Sequence, residues 1–330
     1  MHITIVTSLY QTEVHLPRYL RHARETAVQI REAGLSIEFI LVANEASAEE
    51  RRLLTDFAAN DPDVRVLYVP LETLYASWNR GVRKARGEAI AFWNTDDSRT
   101  VEGLIRGHAH IQQGCELVYF AHKVTRTGSD QGGTEHTRIY DVIPYDADIH
   151  RRIMKAGPFL MFTPQLYERV GPFDDRFKLV GDFEWVVRAT QHTDFCPIDV
   201  IAGTFYLHGG NLTDTGNPLQ SVEENVVHLL HEAWDNLKPV DPELMRKVWA
   251  KWSDDGYELP EAIETQLWGP GAAADWKNWL SAQEQAARRT RIEQIIRYIP
   301  KQIIDRTGLR APLARLGIVK ERPPRTNIPS

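Results

Sequence analysis

The first hundred residues alternate short apolar runs of strand character with longer amphipathic ones, and this alternation constrains the fold more than any other feature of the chain. Strand-like runs at residues 2–7, 37–43, 64–69 and 89–93 are separated by helix-like stretches at 16–33, 48–59 and 74–85. A βαβαβαβ order predicts a mostly parallel open sheet flanked by helices, with right-handed crossovers. Gly34 and Gly87 stand where helix-ending glycines are expected. The run at 89–93 is free of charge, as suits a strand covered on both faces, and it ends abruptly in Asn94-Thr95-Asp96-Asp97.

Open α/β sheets bind ligands beyond the carboxyl ends of their strands. Two adjacent carboxylates at such an end repel each other, which suits a hard divalent cation that in turn holds a phosphate or diphosphate. The same residues also fit an Asx-turn or a helix N-cap, with Asp97-Ser98 opening a following helix.

The chain of 330 residues is long enough for one large or two moderate domains. Its hydrophobic fraction of 42%, charged fraction of 25% and net charge of −6 are those of a soluble globular protein, with no general argument for nucleic acid as a partner. Cys115 and Cys196 are too few for a disulfide framework, and no apolar run reaches the length of a membrane span. The expectation is a reducing, cytoplasmic setting. The start, His2-Ile-Thr-Ile-Val6, reads as a strand and not as a signal peptide.

Beyond residue 101 the regularity loosens. A helix is expected near 104–113 and a strand at 117–121, followed by a polar, Gly-rich loop over 127–137 that either orders on ligand binding or is a plain solvent loop. A strand at 159–162, a short helix at 164–170, a helix opening at Gly181 and a strand at 203–207 complete this part. After Asn217 the pattern is helical, clearest at 222–237 and 243–252. The expected organisation is two halves of one α/β domain (1–100 and 101–216) and a helical extension (217–330) with a disordered tail. Between Arg288 and Arg325, eleven Lys/Arg face three Asp/Glu, with isoleucines at helical spacing. This is either a basic amphipathic helix for peripheral contact with an anionic membrane or a packed helix with a solvated basic face.

Several motifs, in order, resemble the GT-A fold glycosyltransferases of family 2, the large inverting group that uses nucleotide-activated sugars. They are Thr7-Ser8-Leu9-Tyr10, Asn44-Glu45-Ala46-Ser47, Asn79-Arg-Gly81, Ala85-Arg-Gly-Glu88 and Asn94-Thr95-Asp96-Asp97. Later come Gly171-Pro-Phe-Asp-Asp175, Gly181-Asp182-Phe-Glu-Trp185 with Arg188, and Leu207-His208-Gly-Gly. The resemblance spans residues 2–215 and implies a GT-A type sheet and a donor that is a nucleoside-diphosphate sugar. A UDP-sugar comes first, with GDP or dTDP as alternatives, and the acceptor is a glycan or glycolipid hydroxyl. It places Ser8, Tyr10, Asn44, Asn79 and Asp96 at the nucleotide-sugar and Asp96, Asp97 and His208 on a Mn2+ or Mg2+ ion. Trp185 and Glu184 fall on the acceptor side. Asp182 takes the position of the base that removes the acceptor proton, and the dipole of its helix is expected to keep it ionised. Glu184 is the second candidate for that role, or else it pairs with Arg188 at helical spacing.

Two positions depart from the family pattern. Asn44 stands where an acid is usual at the nucleoside base, which weakens the case for uridine, and Asn94 replaces an acid in the metal motif. They leave open a degenerate transferase that binds without turnover. A nucleotidyltransferase fits less well, since residues 7–12 lack the Gly-rich basic loop it needs.

Overall fold

A computed structural model describes residues 1–127, 135–208, 211, 217–253 and 255–268. Its first part runs β1 (Ile3–Leu9), α1 (Leu16–Glu32), β2 (Ile37–Asn44), α2 (Ala48–Ala59), β3 (Val64–Val69), α3 (Leu74–Val82), β4 (Ala89–Phe92). Next come β5 (Ser98–Arg99), α4 (Val101–Gln112), β6 (Leu117–Thr127), β7 (Glu135–Tyr140), α5 (Ala147–Arg152), β8 (Met161–Phe162), α6 (Pro164–Val170), α7 (Gly181–Ala189) and β9 (Cys196–Leu207). Then follow α8 (Pro218–Leu230), a short 3-10 turn (Trp234–Asn236), α9 (Pro242–Ser253) and α10 (Glu261–Trp268). The chain divides into two compact units, Met1–Lys251 and Trp252–Ser330. The site described below lies in the first.

One sheet runs β3-β2-β1-β4-β8-β6-β9-β5, with β7 on β6. The strands β3, β2, β1 and β4 are parallel, as the alternation predicts. Further on the sheet is mixed: β8 is antiparallel to β4 and β6, whereas β9 is parallel to β6. The strand period of two divides β1 between the faces. Ile3, Ile5 and Leu9 join Leu16, Tyr19 and Ile30 of α1 in one core. Val6 faces α3, where a Cβ on Gly81 would fall 2.3 Å from the Val6 methyl, so only glycine lets the helix lie this close. Around α3, Trp78 stacks on Phe92 at 3.8 Å, and Phe92, Phe162, Phe173 and Trp185 continue the aromatic layer.

Several expectations are corrected here. Asp97-Ser98 does not open the next helix: Ser98–Arg99 pairs with β9, and Thr100 caps α4 through its hydroxyl. Gly87 ends no helix, because α3 stops at Arg83 and the Gly87 N–H instead donates to the Thr4 hydroxyl. Part of the expected 127–137 loop is strand, since β7 pairs with β6. The two cysteines, too few for a framework, are joined in a single disulfide. Val118, close after Cys115, is in register with Cys196 on the neighbouring strand, which brings the two thiols together. Among the described residues no helix is long and apolar enough to cross a membrane. The basic stretch 288–325 lies outside the described residues.

Candidate active site

A cleft of about 1320 Å³ opens at the carboxyl ends of β1, β2 and β4 and continues towards α7 and α8. Ser8, Tyr10, Asn44, Asp96, Asp182 and His208 all line it. Six of the sequence-predicted residues, distant in the chain, therefore share one cavity.

Asp96 and Asp97 point opposite ways. The Asp96 carboxylate faces the cleft, where Oδ2 lies 3.2 Å from His208 Nε2 and accepts from Asn211 Nδ2 at 3.1 Å. Asn211 Oδ1 in turn accepts the His208 N–H at 2.7 Å. The His15 ring lies 5.1 Å from that of His208, and the Arg18 guanidinium, set over the Tyr206 ring, donates to the Asp96 carbonyl. Asp97 is turned into the interior, with 3% of its surface exposed. Its Oδ1 accepts from Tyr206 N–H at 3.2 Å and its Oδ2 from Asn94 Nδ2 at 3.3 Å. Burial first, and then the charge of Asp96, push its carboxyl well above the usual carboxylate range. The expectation of two neighbouring carboxylates on one cation is thus corrected in its geometry, because the β4–β5 turn needs one of them to hold β9. Asn94 serves that inward carboxylate.

At the end of β1, Tyr10 is exposed at the rim of the cleft. Asn44 is buried and fully bonded: Nδ2 donates to the Leu9 carbonyl at 3.2 Å and the Ser77 hydroxyl at 3.0 Å, and Oδ1 accepts from Glu72 N–H at 3.1 Å. An aspartate could not donate those bonds, which gives the departure from the acidic residue a structural reason. Glu50 caps α2 and also accepts the Thr12 N–H at 2.7 Å, pinning the turn after β1 that forms this rim.

Asn79 lies off the cleft. Its Nδ2 donates to the Phe173 carbonyl and its Oδ1 accepts from Phe173 N–H and the Tyr167 hydroxyl, so its polar atoms are spent on scaffolding. Trp185 and Glu184 do not line the cavity either. Trp185 is fully buried in the aromatic layer and donates to the Gly171 carbonyl. Glu184 pairs with Arg188 at 2.7 Å and with His231 at 3.2 Å, the helical pairing weighed from the sequence. Glu184, two residues on, falls on the far side of α7 from Asp182, and Trp185 is held in the aromatic layer by Phe162 and Phe173.

Asp182 sits in the first turn of α7, where Oδ1 accepts from the Tyr75 hydroxyl at 3.1 Å. A Cβ on Gly181 would come 2.7 Å from the Tyr75 ring, so glycine lets the two meet. The helix start was expected to keep the acid well ionised. Instead burial raises its pKa, although the Phe183 N–H and the Tyr75 hydroxyl oppose the rise. Glu223, fully buried on α8, accepts the Lys178 N–H at 2.9 Å and the Leu179 N–H at 2.8 Å and so fixes the loop leading into Asp182. No local pattern marks Glu223 or Tyr75, whose partners are remote in sequence. Asn211 had a weak signal in its place just after His208-Gly-Gly.

The sequence profile of Glycosyl transferase family 2 matches residues 4–171, more than half of the chain. The chain belongs to glycosyl transferase family 2. It is accordingly a glycosyltransferase that draws on a nucleotide-sugar. Among solved structures it is similar to S. aureus TarS 1–349, at 15% identity and a TM-score of 0.53, covering 84% of this chain and 80% of that one. TarS 1–349 in complex with UDP-GlcNAc is similar at 12% identity and a TM-score of 0.55, covering 84% and 78%. At these identities the likeness shows a common GT-A fold. No curated protein matches by sequence.

Proposed function

We propose that this family 2 enzyme transfers a sugar from a UDP-sugar to a hydroxyl of a glycan or glycolipid, with inversion, and that it depends on Mn2+ or Mg2+. The observation that carries this is the placement of Asp96 with His208 on one wall of the cleft and of Asp182 on another. A structurally similar protein bound to UDP-GlcNAc supports UDP as the nucleotide.

The donor set fits a cation held in part by substrate. Among the described residues no cluster of three His, Cys, Asp or Glu forms a closed metal site. Asp96 and His208 supply one oxygen and one nitrogen, and cations that serve phosphate chemistry keep few protein ligands and take the rest from the phosphates. The imidazole tilts the choice towards Mn2+. Bound there, the ion would supply neutralisation for the charge that develops on the leaving diphosphate. Asn211 orients both ligands, and Arg18 fixes the Asp96 backbone. Asp182 takes the proton from the attacking hydroxyl on the face opposite the diphosphate, and a pKa raised towards the working pH suits a base. Tyr75 holds its carboxylate in orientation.

Thermal unfolding with UDP-GlcNAc tests the reading. Stabilisation by about 2.7 kcal/mol is expected at a ligand concentration a hundredfold above Kd. It should need Mn2+ and be lost in Asp96→Ala. Asp182→Asn should keep this stabilisation while transfer falls about 10²-fold or more. Equal stabilisation without metal, unaffected by Asp96→Ala, overturns the cation assignment.

A further inference from the structure

The cleft does not end at Asp182. It continues along α8, whose Gln220, Glu224 and His228 recur every fourth residue and all line it. This helix lies outside the family match. Gln220 Nε2 donates to Glu224 Oε1 at 3.1 Å, and Glu224 Oε2 pairs with Lys238. The result is a polar ladder along one wall.

His228 at its end is 1% exposed yet incompletely bonded. Asn236 Nδ2 donates to the Arg152 carbonyl at 2.8 Å, which can only accept, and this fixes the amide orientation. The second hydrogen of the same nitrogen meets His228 Nε2 at 2.8 Å, so Nε2 is an acceptor. Burial lowers the His228 pKa to about 4, so the ring is neutral near pH 7 and its one proton sits on Nδ1. That N–H meets no partner among the described residues. A buried donor without an acceptor is costly, and such groups call for an explanation by something that fills them.

The wall is also close to electrically balanced: Lys238 faces Glu224, and Arg152 faces Asp148 and Asp235. Aromatic surface accompanies it. Tyr140, 39% exposed, stacks on His122 at an interplanar angle of 7°, and both line the cleft. Phe183 meets the His228 ring edge-on. A polar ladder beside aromatic side chains suits the hydroxyls and C–H groups of sugar rings.

We propose that this arm is an acceptor subsite for a neutral oligosaccharide chain, with Nδ1–H of His228 donating to a hydroxyl oxygen of a sugar unit beyond the one that reacts. It rests on the glycosyltransferase reading for the direction of the cleft. The test uses the full chain and two substitutions with opposite geometry. His228→Gln keeps an acceptor near the Nε2 position for Asn236 and loses the Nδ1 donor, whereas His228→Asn keeps a donor near Nδ1 and loses the acceptor.

Saturation-transfer NMR with cellotetraose, chitotetraose and maltotetraose, and with tetragalacturonate as a charged comparator, reads binding without turnover. At least one neutral tetrasaccharide should bind, His228→Gln should raise its Kd about two- to tenfold, and His228→Asn should stay nearer the parent. If none of the neutral chains binds, if only tetragalacturonate does, or if His228→Asn is the more damaged variant, the subsite assignment is overturned. Donor processing is read separately, as UDP release from UDP-GlcNAc. Loss of that release with tetrasaccharide binding intact counts against the donor reading and leaves the subsite standing.

Discussion

Asp97 illustrates how far one torsion separates two roles for the same residue type. Its neighbour Asp96 meets the cleft, and Asp97 meets the backbone of β9, although nothing in their chemistry distinguishes them. Asp97→Ala should therefore act first on stability, because the Tyr206 N–H and the Asn94 amide lose their acceptor in a buried place. The expected loss is about 1–3 kcal/mol, read from urea unfolding midpoints, whereas Asp96→Ala should cost far less stability and remove the Mn2+-dependent response to UDP-GlcNAc. A stable Asp97→Ala protein that has lost that response would show the inward geometry to be wrong. Asn44 makes the same point from the other side. Its amide donates to Leu9 and Ser77 while its carbonyl accepts from Glu72, so the residue that weakened the sequence case for uridine is a tie between β1, β2 and the start of α3.

At the scale of elements, the parallel strands are locked at the edge remote from the cleft by Glu38, a fully buried carboxylate on β2. It accepts from the Thr4 hydroxyl on β1 at 2.7 Å, from Arg86 N–H at 2.6 Å, and pairs with Arg65 and Arg86 at 2.8 Å. Burial raises its pKa, but the Thr4 and Arg86 bonds and the Arg65 charge outweigh it and hold the carboxyl below its ordinary 4.5. Since the folded form then binds its proton at lower pH than the unfolded chain, Glu38 stabilises fully above pH 4.5 and progressively less as the pH falls through the folded value. Glu38→Gln should narrow the stability gap between pH 7 and pH 3.5, as measured by urea midpoints; an unchanged gap would assign the acid sensitivity to other carboxylates. The helices α3 and α7 obey the same logic of close approach, with Gly81 against Val6 and Gly181 against Tyr75. The sequence placed these elements within a few residues because their apolar periods are strong. It missed β5, a two-residue strand that no period can reveal, and started β8 two residues early.

Across the whole molecule, the Cys115–Cys196 bond joins segments 81 residues apart and ties β9, which carries His208 at its end, to the α4–β6 junction. Closing a loop of that length should stabilise the fold by about 2–4 kcal/mol. Thiol titration of the denatured, unreduced chain should find no free thiol, and reduction should lower the unfolding midpoint accordingly; two titratable thiols in the native protein would refute the bridge. The sequence by itself determined the parallel first half of the sheet and the place of the cleft at the ends of β1, β2 and β4, and through the family resemblance it picked out Ser8, Tyr10, Asn44, Asp96, Asp182 and His208, which line it. These follow from short-range periodicity and from motif order, which are written locally. Only the tertiary structure decided which of two adjacent aspartates faces the cleft, that Asn79, Glu184 and Trp185 are scaffold, that two cysteines meet, that Glu223 holds the loop before Asp182, and that His228 of α8 lines the cleft. Each of these depends on contacts between residues far apart in the chain and on side-chain direction, which a linear pattern does not encode.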